Sequence, residues 1–204
     1  MITTNYDLVL ENLLRRTNWG GYQQRKNANG IPYAGFPDQK GFPRILKLHG
    51  SCNWYREGNE ILTLESVTPT TLFGRDLVIG TPGVSKQQLA IGELNGDWIS
   101  AKKQLREAEV VSIVGYSLPE TDNVLRMMIL DQIAESPCIQ AVNIVLGTRS
   151  ERGYRAEEII KQAMPDKQLR GRVRLLPMYA QDYLPTAPEK ATEWVFKGDH
   201  FLTN

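Results

Sequence analysis

Two almost wholly apolar runs constrain the fold more than any other part of the chain. They are Val110-Val111-Ser112-Ile113-Val114 and Ala141-Val142-Asn143-Ile144-Val145-Leu146. Runs of this kind suit parallel strands covered on both faces, and the first reads as a central strand. Gly115 follows the first run, then a helical pattern with Val124, Leu125, Met128, Ile129 and Ile133 on one face. Gly147-Thr148 follows the second, then a short helical pattern over residues 156–163 closed by Pro165. Val173-Arg174-Leu175-Leu176 is a last strand. Alternation of strands with helices predicts an α/β fold, a Rossmann-like parallel sheet flanked by helices.

Composition narrows the class. The chain has 204 residues, 41% of them hydrophobic and 23% charged, as in an ordinary globular domain with its own core. A formal net charge of +1 gives no reason to expect direct nucleic-acid binding or an acidic membrane surface. No apolar run reaches membrane-spanning length, and Asn5 and Asp7 interrupt any secretion-signal pattern. Two cysteines, Cys52 and Cys138, are too few for a four-thiolate zinc site and suggest a reducing, cytoplasmic setting. The expected division is one domain over residues 1–184 and a C-terminal tail over 185–204, with Tyr179, Tyr183, Trp194 and Phe196 packing on the surface after Pro177.

At the start of the chain, Ile2-Thr3-Thr4 favours strand, and Asp7 can cap a helix whose apolar side is Leu8, Leu10, Leu13 and Leu14. No strand or helix precedes this unit, so the sheet is expected to be incomplete at its N-terminus. Residues 17–43 form a long loop rich in Gly, Asn, Gln and Pro. Its aromatics, Trp19, Tyr22 and Tyr33, either cover a ligand or plug the loop onto the core. Ile45, Leu46 and Leu48 read as a short strand that Gly50 and Ser51 break, which leaves His49 at a strand end. An imidazole there can exchange protons near neutral pH, or it can be a hydrogen-bonded core residue without chemistry. Trp54-Tyr55 and Ile61–Leu64 read as a hairpin across Glu57-Gly58-Asn59, Leu77–Ile79 as a strand, and residues 98–108 as a helix buried through Trp98, Ala101 and Leu105. His200, near the end, reads as uninvolved.

Four polar clusters follow short strands: Thr4-Asn5-Tyr6-Asp7, His49-Gly50-Ser51, Gly115-Tyr116-Ser117 and Gly147-Thr148. In open parallel sheets ligands bind beyond the carboxyl ends of the strands, so clusters on one sheet would meet at one edge. Ser117-x-x-Glu120 matches a capping box, with Pro119 in the first helical turn. A glycine turn entering a helix N-terminus offers free N–H groups to an anion, and it is equally a well-capped connection.

Thr4-Asn5-Tyr6-Asp7, Leu46-Lys47-Leu48-His49-Gly50-Ser51 and Gly115-Tyr116-Ser117-Leu118-Pro119-Glu120-Thr121-Asp122, in this order, resemble the sirtuin-like domain family. They look most like its bacterial antiphage-defence branch, which consumes NAD. The resemblance implies an NAD-binding Rossmann-like sheet with NAD as substrate. It makes Asn5 the residue that orients the nicotinamide ribose or the attacking water, Asp7 the acid that holds the carboxamide, and His49 the general base. Gly115 and Ser117 then contact phosphate and ribose, with Thr4, Tyr116, Gly147 and Thr148 completing the cofactor-binding set. Departures accompany it. The family's glycine-rich phosphate loop belongs before Thr4-Asn5-Tyr6-Asp7. Thr4 stands where protein-deacylating members carry glutamine, their zinc cysteines have no counterpart here, and Gly147-Thr148 stands where members often place an asparagine. These departures imply NAD hydrolysis rather than deacylation, with no zinc.

Two functions are therefore expected in competition. One is an NAD glycohydrolase domain, a truncated form of the family's catalytic unit. The other is a catalytically inactive module that binds NAD or ADP-ribose, or docks on a partner or a second copy that covers exposed sheet surface.

Overall fold

A computed structural model describes residues 1–10, 45–64, 67–80, 90, 92–147, 151–164 and 170–183. The chain divides into two compact units, 1–101 and 102–204, each of which is described by itself.

In the first unit, β1 (Ile2–Thr3) pairs in parallel with β2 (Leu46–Lys47). Strand β3 (Gly50–Glu57) follows almost at once and turns through Gly58-Asn59 into β4 (Glu60–Thr63). A short helix α1 (Pro69–Leu72) leads to β5 (Asp76–Ile79). Strand β3 is the centre of an antiparallel sheet ordered β4-β3-β5. The expected hairpin and the Leu77–Ile79 strand are both present. Gly50 and Ser51, expected to break the strand, instead begin β3. The reason is local: at φ +80° Gly50 redirects the chain out of parallel pairing with β1 and into antiparallel pairing with β5. Helix α2 (Asn95–Glu107) closes this unit, crosses its boundary, and buries Trp98, Ala101 and Leu105 as expected.

The second unit is a parallel sheet ordered β6-β7-β8, from β6 (Val110–Val114), β7 (Ala141–Val145) and β8 (Val173–Leu176). Helix α3 (Asn123–Glu135) connects β6 to β7, and α4 (Glu151–Ala163) connects β7 to β8. The α/β architecture with parallel strands and flanking helices is that expected of a Rossmann-like fold. The central strand, however, is β7, buried along its whole length, whereas β6 leaves Ser112 exposed. Apolar content alone did not distinguish the two strands. Ser112, Asn143 and Arg174 share one register row and therefore one face. Asn143 is fully buried, and neither of its amide atoms has a partner among the described residues. Such a group costs about 1–3 kcal/mol.

After β8 the chain enters α5 (Ala180–Tyr183). Tyr183, expected on the surface, is 1% exposed, and its hydroxyl shares a 2.6 Å hydrogen bond with Ser112. A phenol buried to this extent needs a polar partner, and β6 supplies one. The long loop at 17–43, Pro165, Trp194, Phe196 and His200 lie outside the described residues. Among the described residues no helix is long and apolar enough to cross a membrane.

Candidate functional site

The first unit brings two of the four sequence clusters together. Backbone bonds lay residues 1–6 alongside residues 46–52. Leu46 N–H donates to the Met1 carbonyl at 2.8 Å, Leu48 N–H to Thr3 at 3.0 Å, and Cys52 N–H to Tyr6 at 2.7 Å. Thr4-Asn5-Tyr6-Asp7 thus runs beside His49-Gly50-Ser51. Asn5 and Asp7 are exposed, and Thr4 is partly so. Asn5 N–H donates to the Thr3 hydroxyl at 3.1 Å. The Asp7 carboxylate accepts from Val9 N–H at 3.0 Å, which caps the helical turn beginning at Val9. That bond occupies one carboxylate oxygen and leaves Asp7 further acceptor capacity.

His49 is clamped through its main chain. Its carbonyl accepts from Gly80 N–H at 2.8 Å, and the preceding carbonyl, of Leu48, accepts from the Trp98 indole N–H at 3.1 Å. On its other side, a Cβ at Gly50 would lie 1.9 Å from the Val78 carbonyl oxygen. The backbone at this strand end is pinned on both sides. His49 as a residue is 4% exposed. It belongs to a row of buried polar residues, Lys47, His49, Ser51 and Asn53. Within that row Ser51 Oγ donates to Asn53 Oδ1 at 2.7 Å, and Asn53 Nδ2 reaches the Leu64 carbonyl at 3.3 Å.

The second unit brings the other two clusters together. Gly115, just past β6, donates its N–H to the Val145 carbonyl at 2.8 Å, so the ends of β6 and β7 lie side by side. Gly147, just past β7, donates to the Met178 carbonyl at 2.9 Å, and the Tyr179 ring packs against it. Thr148 lies outside the described residues. Gly115 has φ +70° with open space where a Cβ would stand, so it is the backbone angle that calls for glycine. Leu118 has φ +55° although it is not glycine, and it is 2% exposed. This conformation costs about 1–2 kcal/mol, and burial of the Leu118 side chain offsets it.

The expected capping box is not formed. A 3-10 turn (Glu120–Asp122) precedes α3, and neither it nor the helix receives a side-chain cap. The left-handed turn at Leu118 separates Ser117 from the helix start. Glu120 pairs with Arg155 of α4 instead. Ser117 is thereby left without a capping role. Tyr116 keeps its hydroxyl oxygen sealed from solvent. Burial pushes its phenol well above the ordinary value of 10.0, and the neighbouring Asp122 carboxylate pushes it further. Tyr116 is therefore a neutral hydroxyl at physiological pH.

A family model, SIR2-like domain, matches residues 1–163. The chain belongs to the SIR2-like domain family. The matched span contains every candidate residue from Thr4 to Thr148. Comparison with curated proteins gave no match. Membership in the SIR2-like, or sirtuin-like, family implies use of NAD. Among the described residues no three His, Cys, Asp or Glu come together as a metal-holding group.

Several residues of the site escaped the sequence reading. Gly80 and Cys52 act through backbone N–H groups, which leave no side-chain signature. Tyr179 is distant in sequence from Gly147, which it packs against, and Asp122 stood only as the last residue of a motif, with nothing to tie it to the Tyr116 hydroxyl. Lys47 did leave a signal, being a lone charge between Leu46 and Leu48 in an otherwise apolar strand.

Proposed function

We propose that this SIR2-like chain cleaves the nicotinamide–ribose bond of NAD with water, as an NAD glycohydrolase. The observation that carries the proposal is the alignment of residues 1–6 with residues 46–52, which sets Thr4-Asn5-Tyr6-Asp7 beside a main-chain-clamped His49. The reaction converts NAD and water into nicotinamide, ADP-ribose and a proton. As the C–N bond breaks, the electron pair leaves with nicotinamide and positive charge grows on the ribose. Asn5 orients the water without adding charge, because its amide both donates and accepts. His49 takes the proton released as water adds to the ribose carbon. Asp7 accepts from the carboxamide of the leaving group with the acceptor capacity left by its helix-capping bond. Gly115 and Ser117, with Tyr116, Gly147 and Thr148, serve phosphate and ribose. The absence of a capping role for Ser117 supports this assignment.

The finer setting belongs to the same proposal: a bacterial cytoplasmic protein that depletes NAD in antiphage defence, with no zinc requirement. A second reading is favoured by the burial of His49. With His49 buried, the chain would bind NAD or ADP-ribose without turnover, alone or docked on a partner or second copy.

The test is nicotinamide release from NAD by the purified chain and by His49→Ala, with circular dichroism melts of both. The expected result is release by the chain, a loss of at least about 100-fold in His49→Ala, and an unchanged fold. NAD binding without release by either protein would transfer the conclusion to the binding module. Unfolding of His49→Ala would make His49 a core residue.

A further inference from the structure

Lys47 is 1% exposed and lies on β2 between Leu46 and Leu48, both fully buried. Taking a lysine head group out of water costs several kcal/mol unless the site compensates it. A methionine would fill much the same volume without that cost. Lys47 Nζ donates to the main-chain carbonyl of Asp7, forty residues earlier in the chain. The carbonyl just before it, of Tyr6, accepts from Cys52 N–H at 2.7 Å. Two successive carbonyls of the loop are thus held by the strand ends that carry His49. Beyond them the Asp7 carboxylate turns the chain into its helix through Val9 N–H at 3.0 Å. Asn5 and Asp7 are exposed on the stretch so held, so their placement depends on these main-chain clips rather than on burial of their own side chains.

We propose that Lys47 is a positioning residue: its Nζ fastens the Asp7 carbonyl to β2 and so holds Asn5 and Asp7 in register with His49, two residues further along. Its catalytic consequence rests on the glycohydrolase reading, whereas its conformational consequence does not. Fastening by a main-chain acceptor suits the chemistry. Lys47 makes no demand on the Asp7 carboxylate, which stays available to the carboxamide.

The experiment compares Lys47→Met and Lys47→Arg with the unaltered chain by amide hydrogen exchange and by nicotinamide release. In Lys47→Met the amides of Cys52 and Val9, which bond to the clipped loop, are expected to exchange at least tenfold faster. The Gly80 amide, which bonds to His49 on the other side, keeps its rate. The kcat for nicotinamide release falls at least tenfold, while KM for NAD moves less than threefold. Lys47→Arg, which retains the donor, restores slow exchange at Cys52 and Val9. Equal acceleration of Cys52, Val9 and Gly80 would mean that Lys47 supports the whole strand, and would overturn the proposal. Unchanged exchange in Lys47→Met, or its failure to fold, would overturn it as well. If even the unaltered chain releases no nicotinamide, the glycohydrolase reading fails, and the exchange pattern still decides the role of Lys47.

Discussion

Gly50 is where the candidate site depends most sharply on a single residue. Its φ of +80° lies in the left-handed region, and a Cβ there would stand 1.9 Å from the Val78 carbonyl oxygen, a backbone atom of β5 that cannot swing aside. The left-handed angle alone costs about 1–2 kcal/mol for a non-glycine residue, and displacing β5 adds to it. Gly50→Ala is therefore expected to lower unfolding stability by more than about 3 kcal/mol or to prevent folding, as read from urea denaturation. A loss under about 1 kcal/mol would mean that β3 and β5 can part here, and the clamp on His49 would be weaker than described. Legibility differed from one residue to the next. His49 was conspicuous because histidine is rare in this chain. Gly50 was read as a strand breaker, since a glycine after a short apolar run does not announce whether it ends a strand or redirects it. Lys47 passed unremarked within the motif, although a charge flanked by buried leucines was its signature.

At the level of elements, the connection from β6 to α3 departs furthest from local rules. Ser117, Pro119 and Glu120 carry the spacing of a capping box, yet the chain passes through left-handed Leu118, and α3 begins only at Asn123. Capping-box spacing is a prediction about local hydrogen bonds, and tertiary burial of Leu118 overrode it. The two accounts of Ser117 differ measurably. A capping serine replaced by alanine loses about 1 kcal/mol. Without a cap, Ser117→Ala is expected to change stability by less than about 0.5 kcal/mol while weakening NAD binding, as checked by urea unfolding beside calorimetric titration. A full kilocalorie of lost stability with unchanged binding would restore the capping role and remove Ser117 from the ligand set. The strands were more legible. β4, β5, β6, β7 and β8 stand close to where apolar runs and turn residues placed them, whereas β3 begins at Gly50, four residues before the Trp54-Tyr55 strand expected there. Which strand is central was not legible, because Val110–Val114 and Ala141–Val145 are similarly apolar and only pairing shows that β7 has a neighbour on each side.

For the whole molecule, the family assignment makes one thermodynamic demand. A ligand that binds only the folded chain adds about 2.7 kcal/mol at a hundredfold excess over its Kd. For a chain of this length that corresponds to a rise in melting temperature of roughly 5–10 °C. The His49→Ala variant, chosen because the glycohydrolase reading has it leave NAD intact, is expected to show this rise when NAD is titrated and melting is followed by circular dichroism. A melting temperature indifferent to millimolar NAD would speak against both the hydrolase and the binding module. The sequence by itself determined the α/β class, the order of the motifs and the SIR2-like resemblance. Those rest on hydrophobic period, turn chemistry and residue identity, all of which are local. Only the tertiary structure decided that Gly50 redirects a strand, that Glu120 pairs with Arg155, that Tyr183 is buried against Ser112, and that Lys47 reaches the Asp7 carbonyl. Each of these joins residues through space, and neither propensity nor spacing encodes which distant backbone atom will lie within reach once the strands have paired.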